Sequence, residues 1–198
     1  TGAMEGVANN SQTGTVAIGS SALNALTTGD ANTAIGYETL KVEDVGDYST
    51  AVGYQALTAQ TADHSATDAG NTAVGFKAGY AVNTGYYNTL IGRTAGFAIT
   101  TGAGNIAIGS EAGKALVGGD DNTIIGKQAG LATTAGTNMV IIGKGAGAGI
   151  ITSAAAGTVA VGYEALNDLT SGARNTALGY RVLDVQQAGS DNTGVGYN

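Results

Sequence analysis

The chain has 198 residues, with 34 glycines, nine tyrosines, no proline, cysteine or tryptophan, and a formal charge of −7. Hydrophobic residues make up 43%, but much of that is alanine, which fills too little volume for a conventional globular core. The composition excludes a disulfide framework and a thiolate metal site, and the acidic balance argues against nucleic acid or an anionic membrane as general partners.

No apolar run approaches membrane-spanning length, and nothing resembles a signal peptide. No membrane insertion is expected. Disorder is also disfavoured, because β-branched residues recur along the whole chain. The chain stops at Asn198, directly after a repeat core, and reads as a fragment of something longer.

In chain order, a glycine preceded by a branched aliphatic recurs at Gly19, Gly36 and Gly53, then at Gly75, Gly92, Gly109, Gly126 and Gly143, then at Gly162, Gly179 and Gly196. The spacing is 17 residues, except for 22 and 19 where two insertions fall. A 17-residue unit is too short for a helix–strand pair but suits two short strands and two turns. The expected fold is all-β: a parallel β-roll or β-solenoid of eleven coils. Ten rises of one strand spacing make a rod of roughly 50 Å.

Each column of the repeat carries a physical reading. The residue before the glycine is aliphatic in every copy, as at Ile35, Ile108, Ile125 and Ile142. Two places before the glycine stands mostly alanine: Ala34, Ala51, Ala73, Ala107, Ala160 and Ala177. Adjacent strand residues face opposite ways, so both faces of this strand are apolar and both need cover. The aliphatic column is expected inside the coil. The alanine column is expected to meet sister chains, with three copies around an axis forming a homotrimer. These ten side chains are the candidates for core and trimer interface.

The remaining columns are read as turns. Asparagine recurs four places before the glycine (Asn32, Asn71, Asn88, Asn105, Asn122, Asn175, Asn192), suited to left-handed backbone. A second glycine recurs seven places before (Gly29, Gly46, Gly85, Gly102, Gly119, Gly136, Gly172, Gly189), where a tight turn would need positive φ.

Two classes of coil divide the single solenoid. Coils within 1–69 and 157–198 end in Ala-Leu-type pairs, such as Ala56-Leu57 and Ala165-Leu166, whereas those within 70–156 end in Ala-Gly. The residue after the core glycine changes in step. It is Tyr37, Tyr54, Tyr163 and Tyr180 in the outer coils, and includes Arg93, Lys127 and Lys144 in the central ones. Residues 70–147 hold five basic and three acidic side chains, a weakly positive belt on an acidic rod. The insertions fall at Thr58–Gly70, which contains the sole histidine His64, and at Ala148–Gly157.

The segment Ser49-Thr50-Ala51-Val52-Gly53-Tyr54-Gln55-Ala56-Leu57 resembles the YadA-like head repeat of trimeric adhesins. It is still more similar to the Asn-Thr-Ala-Ile-Gly-Tyr-Gln-Ala-Leu arrays of phage tail fibres and bacterial surface proteins. The resemblance covers nearly the whole chain. It implies a left-handed parallel β-roll, a homotrimer, and a role in attachment to a host cell or surface. Its period is 17 residues, longer than in the adhesin heads.

On this reading the chain is a non-enzymatic structural or adhesive segment of an extracellular fibre. It would sit on a virion, as a phage tail fibre, or on a bacterial cell surface, as the head of a trimeric adhesin. The less favoured alternative is a polysaccharide-cleaving tail spike, which would need a carboxylate pair beside a sugar-sized cleft; the sequence gives no sign of one. No cofactor, metal site or catalytic residue is expected. A cell-surface glycan or receptor is the expected external partner. Weak contact candidates are His64, Arg93, Lys127 and Lys144 and the tyrosines 37, 54, 163 and 180, the tyrosines being read first as a structural ladder. Asp30, Asp47, Asp120, Asp121 and Asp191 lie in the turns before the core, without a calcium β-roll pattern. The threonine column (Thr33, Thr50, Thr72, Thr89, Thr123, Thr176, Thr193) is set aside as an ice-binding face because buried aliphatics are expected beside it.

Overall fold

A computed structural model describes residues 2–4, 12–62, 68–149, 151–152 and 155–198. Eleven three-residue strands follow one another: β1 (Val16–Ile18), β2 (Thr33–Ile35), β3 (Thr50–Val52), β4 (Thr72–Val74), β5 (Thr89–Ile91), β6 (Ile106–Ile108), β7 (Thr123–Ile125), β8 (Val140–Ile142), β9 (Val159–Val161), β10 (Thr176–Leu178) and β11 (Thr193–Val195). They form one parallel sheet in chain order. The protein is an all-β parallel β-solenoid.

Every residue pairs with its own repeat position in the next coil, Ala34 with Ala51 and Ile108 with Ile125. The two insertions do not disturb this register: Ala51 pairs with Ala73, and Ile141 with Ala160.

Among the described residues each coil contributes one strand, where two were expected. The far side cannot be extended, because its backbone twice enters the left-handed region, as at Glu38 (φ 53°) and Leu40 (φ 47°). The inter-coil ladder nevertheless continues around the turns. Glu38 N–H donates to Ser20 O (2.9 Å), and Leu40 N–H to Ala56 O (3.2 Å). Part of the turn backbone is thus paired between coils in the same direction as the strand, as a buried wall requires.

The core glycine has two independent reasons to be glycine. Its φ lies between 126° and 145° in all eleven coils, a region closed to other residues. A Cβ on Gly109 would also lie 2.6 Å from the carbonyl oxygen of Gly126 in the next coil. The second glycine column differs from expectation. Only Gly172 and Gly189 have positive φ there. At Gly85 and Gly102 the constraint is space, since a Cβ would meet the carbonyl oxygen of the glycine one coil on at 2.5 Å.

The asparagines are not left-handed turn residues either. That conformation belongs to the residue before them, as at Ala31, Tyr87 and Asp121. The asparagine side chains form an internal ladder, buried at 0–1% exposure from Asn32 to Asn175. Asn105 Nδ2 donates to Gly119 O (2.7 Å) and to Asn88 Oδ1 (3.0 Å), while its Oδ1 accepts from Asn122 Nδ2 (2.9 Å). Each amide satisfies groups one coil away, so the ladder ties the stack together through its interior.

Beside the asparagine ladder and the buried alanines three places after the core glycine, three further positions line the interior of the coil: the middle strand residue, the fourth after the core glycine and the seventh after it. The alanines 34, 51, 73, 107, 160 and 177 are the first of these, all at 0–1% exposure. The aliphatic column lies on the outer face: Ile35 and Ile91 are each 37% exposed and Leu178 is 48% exposed. This reverses the expected assignment of the two faces. The coil is only one strand thick on this side, so its interior has room for a methyl group where the opposite wall supplies a leucine.

That opposite wall explains the two classes of coil. In the end coils Leu23, Leu40, Leu57 and Leu166 are fully buried beneath alanines in the strand. In the central coils the fourth position is glycine, and larger residues of the same or a neighbouring coil fill the space. A Cβ on Gly96 would lie 2.6 Å from Leu90 Cδ2, and one on Gly130 would lie 3.3 Å from Ile124 Cγ2. Volume is exchanged across the coil, and interior density is kept.

The seventh position is usually apolar: Leu26, Val82, Ile99, Leu116 and Leu169 are fully buried. In two consecutive coils it carries Glu43 and Gln60, at 0% and 1% exposure. Glu43 Oε1 accepts from Gly46 N–H (2.7 Å), and its Oε2 accepts from Gln60 Nε2 (2.8 Å). Gln60 also donates to Ser49 Oγ (2.9 Å) and accepts from Asn71 Nδ2 (3.0 Å). Ser49 stands in the asparagine column, and this network bridges the gap it leaves in the ladder.

Candidate functional site

The outward strand face is the first candidate surface. Its two rows are the threonine column and the aliphatic column. Val16 (42%), Ile18 (58%), Ile106 (37%) and Val195 (72%) are among its exposed members, and Ile108, Ile125 and Ile142 are half-buried. Two rows over eleven rungs cover about 500 Å², a stripe of aliphatic side chains edged by threonine hydroxyls. The threonines share this face with solvent-facing aliphatics, so the reason for setting aside an ice-binding role does not hold.

The residue after the core glycine forms a second line along the rod. Tyr37, Tyr54 and Phe76 stack at centroid distances of 5.1 and 5.4 Å, and Tyr163, Tyr180 and Tyr197 at 5.1 and 4.9 Å. Ring faces that cover one another are closed to a sugar. Of the outward faces at the ends of the two stacks, two are capped by cations: Lys77 Nζ lies 5.6 Å from the Phe76 centroid, and Lys144 Nζ 5.1 Å from that of Tyr163. The tyrosine column is therefore a ladder along the wall, with its rings' edges in solvent.

Between these stacks run the belt cations. Arg93 pairs with Glu111, which Lys114 approaches at 4.0 Å. Gln128 donates to the other Glu111 oxygen at 3.0 Å. The Gln128 amide first, then Arg93, hold the Glu111 carboxyl below the usual carboxylate range. Glu38 is lowered in the same way, first by Lys41 (2.7 Å) and then by Gln55 (2.6 Å), and side-chain hydrogen bonding to Glu38 first, then its charge, raises the neighbouring Tyr37 phenol. Lys127 is exposed, and no side chain among the described residues pairs with it. His64 lies outside the described residues.

A notch that the sequence did not announce cuts into another corner. It has a volume of about 300 Å³. One wall is Tyr86 and Tyr87, whose rings meet edge to face at 5.2 Å. The other is Asp120 and Asp121, two coils further on, and Ala103 and Gly104 form the floor between them. Asp120 Oδ1 accepts from Ala103 N–H at 2.9 Å. The Asp121 carboxylate lies over the floor, where a Cβ on Gly104 would meet its Oδ1 at 2.5 Å. The signal was present in consecutive copies of one corner, which read Tyr-Tyr, Ala-Gly and Asp-Asp, but only alignment at that corner brings the pairs together.

These carboxylates meet part of the condition set for a glycan-cleaving site, an acidic pair beside a cleft. Both aspartates are exposed, whereas the general acid of such a site is a desolvated carboxyl. Among the described residues, no group of three or more histidine, cysteine, aspartate or glutamate side chains is placed to hold a metal ion. No described helix is long and apolar enough to cross a membrane. Comparison with protein-family models, curated proteins and solved structures finds no match.

Proposed function

We propose that this solenoid is a non-enzymatic structural and adhesive segment of a trimeric extracellular fibre, a phage tail fibre or a similar appendage that holds or presents a surface-attachment site. The observation that carries it is the outward strand face. A stripe of branched side chains, threonine or aliphatic, repeats at every rung, and a second copy of the same chain offers the same spacing in return. Three copies around an axis cover that stripe in each chain. The sister-chain contact falls on the aliphatic column, with Ile35, Ile108, Ile125 and Ile142 facing the axis, while the alanines stay inside each coil. The repeat's resemblance to fibre and adhesin arrays supports the same reading, and it leaves both carriers open, virion and bacterial surface.

Cross-linking tests the assignment of the face. The chain contains no cysteine, so Thr123→Cys on the outward face and Asp168→Cys on a turn each introduce a single thiol. Mild oxidation should join Thr123→Cys chains into covalent pairs and leave Asp168→Cys chains single. Equal cross-linking of the two, or none in either, refutes the face assignment. The regular threonine–aliphatic array favours one second reading, an ice-binding face. It applies if the chain is a monomer, and inhibition of ice recrystallisation by the isolated chain tests it.

A further inference from the structure

We infer that the notch between Tyr86–Tyr87 and Asp120–Asp121 is a binding site for a small organic ammonium group, a protonated amine or a quaternary ammonium. The inference does not depend on the trimer, since the notch is built from side chains of one protomer.

Four observations converge. First, the notch has a floor as well as walls: Ala103 and Gly104 are the small rung between two rungs of large side chains. Tyr87 leans away from it, over Gly70, where a Cβ would meet the ring at 2.7 Å. The tyrosine therefore leaves the floor open on its side, and from the other side the Asp121 carboxylate reaches over Gly104. At about 300 Å³ the notch admits a group of trimethylammonium or amino-sugar size.

Second, the charge is uncompensated. Neither Asp120 nor Asp121 forms an ion pair with any described cation, although five basic side chains lie within 70–147. One Asp120 oxygen is used by Ala103 N–H, and the Asp121 carboxylate has no side-chain partner. Third, the facing wall is aromatic. Ring faces and carboxylates both attract a cation, and ring faces favour one that sheds water easily, as alkylammonium does. Fourth, acceptors dominate the lining. Apart from the Thr101 and tyrosine hydroxyls, no side chain there donates a hydrogen bond. Anionic ligands are repelled, and a neutral sugar finds few donors for its oxygens.

Binding is read by isothermal titration and by amide chemical shifts of the whole chain, using choline, glucosamine and N-acetylglucosamine as probes. Choline and glucosamine should saturate at one site per chain, with shifts centred on residues 86–87, 103–104 and 120–121. N-acetylglucosamine, which keeps the ring and loses the charge, should bind at least about tenfold more weakly. The double variant Asp120→Asn/Asp121→Asn keeps size and hydrogen-bonding geometry, and asparagine tolerates the left-handed backbone at 121. It should retain the wild-type circular dichroism and weaken choline binding by about tenfold or more. Tyr86→Leu, which keeps bulk and removes the ring, should weaken choline more than glucosamine. The inference is overturned if neither cation saturates below about 100 mM, if N-acetylglucosamine matches glucosamine, or if the double variant binds choline as the wild type does.

Discussion

At the scale of single residues, the repeat is a set of answers to two constraints: a 17-residue circuit needs left-handed steps, and stacked coils need backbone to approach backbone. The core glycine answers both. Gly109→Ala meets a closed φ region and the Gly126 carbonyl, and should cost about 3 kcal/mol or more in denaturant unfolding. Gly113→Ala sits at φ 55° with Ile124 Cδ1 3.2 Å away, and should cost about 1–2 kcal/mol. Equal costs would show that approach between coils is not what the core glycine provides. Asparagine answers a third need, pairing the interior polar groups. Asn105→Ala removes bonds to two neighbouring coils and should cost about 2–4 kcal/mol. Asn192→Ala, in the last coil and half-buried, should cost about 1 kcal/mol. Both columns were legible as recurring residues. Their roles were not, because a glycine needed for space and one needed for φ look the same in a sequence, as do an asparagine in a turn and one inside a ladder.

At the scale of the coil, the governing quantity is interior volume. A glycine four places after the core glycine accompanies leucine or isoleucine in the strand of its own or a neighbouring coil, and a leucine there accompanies alanine. Ile124→Ala should cost about 2–5 kcal/mol as a cavity. Gly130→Leu overpacks the same space and is destabilising alone. Together they recreate an end-type coil, and the double variant should be at least about 1 kcal/mol more stable than the sum of the single effects. Strict additivity, measured in the same unfolding experiment, would mean that the two walls do not share one space. The sequence displayed both classes of coil and their boundaries, but not which face looked inward. Periodicity of two says that neighbouring strand residues face opposite ways. Only the bulk of the opposing wall decides that Ala107 is inside and Ile108 outside. The polar interior of Glu43 and Gln60 was hidden for a similar reason: a charged residue in a turn column reads as exposed until the column is known to point inward.

At the scale of the whole molecule, the period and the unbroken register identify a rod, and both were plain in the spacing of the glycines. The notch was hidden, because its walls lie 33 to 35 residues apart in the chain and meet only through stacking. The outward apolar stripe ties the rod to its proposed assembly. Burying it against sister chains adds roughly 25 cal/mol for each Å² removed from water, over a surface that otherwise stays wet along the length of the solenoid. The most direct test is the mass of the native particle by sedimentation equilibrium at micromolar concentration. The account predicts a single species of three chains, each of 19.3 kDa. A folded species of one chain's mass, unchanged as concentration rises, would contradict it.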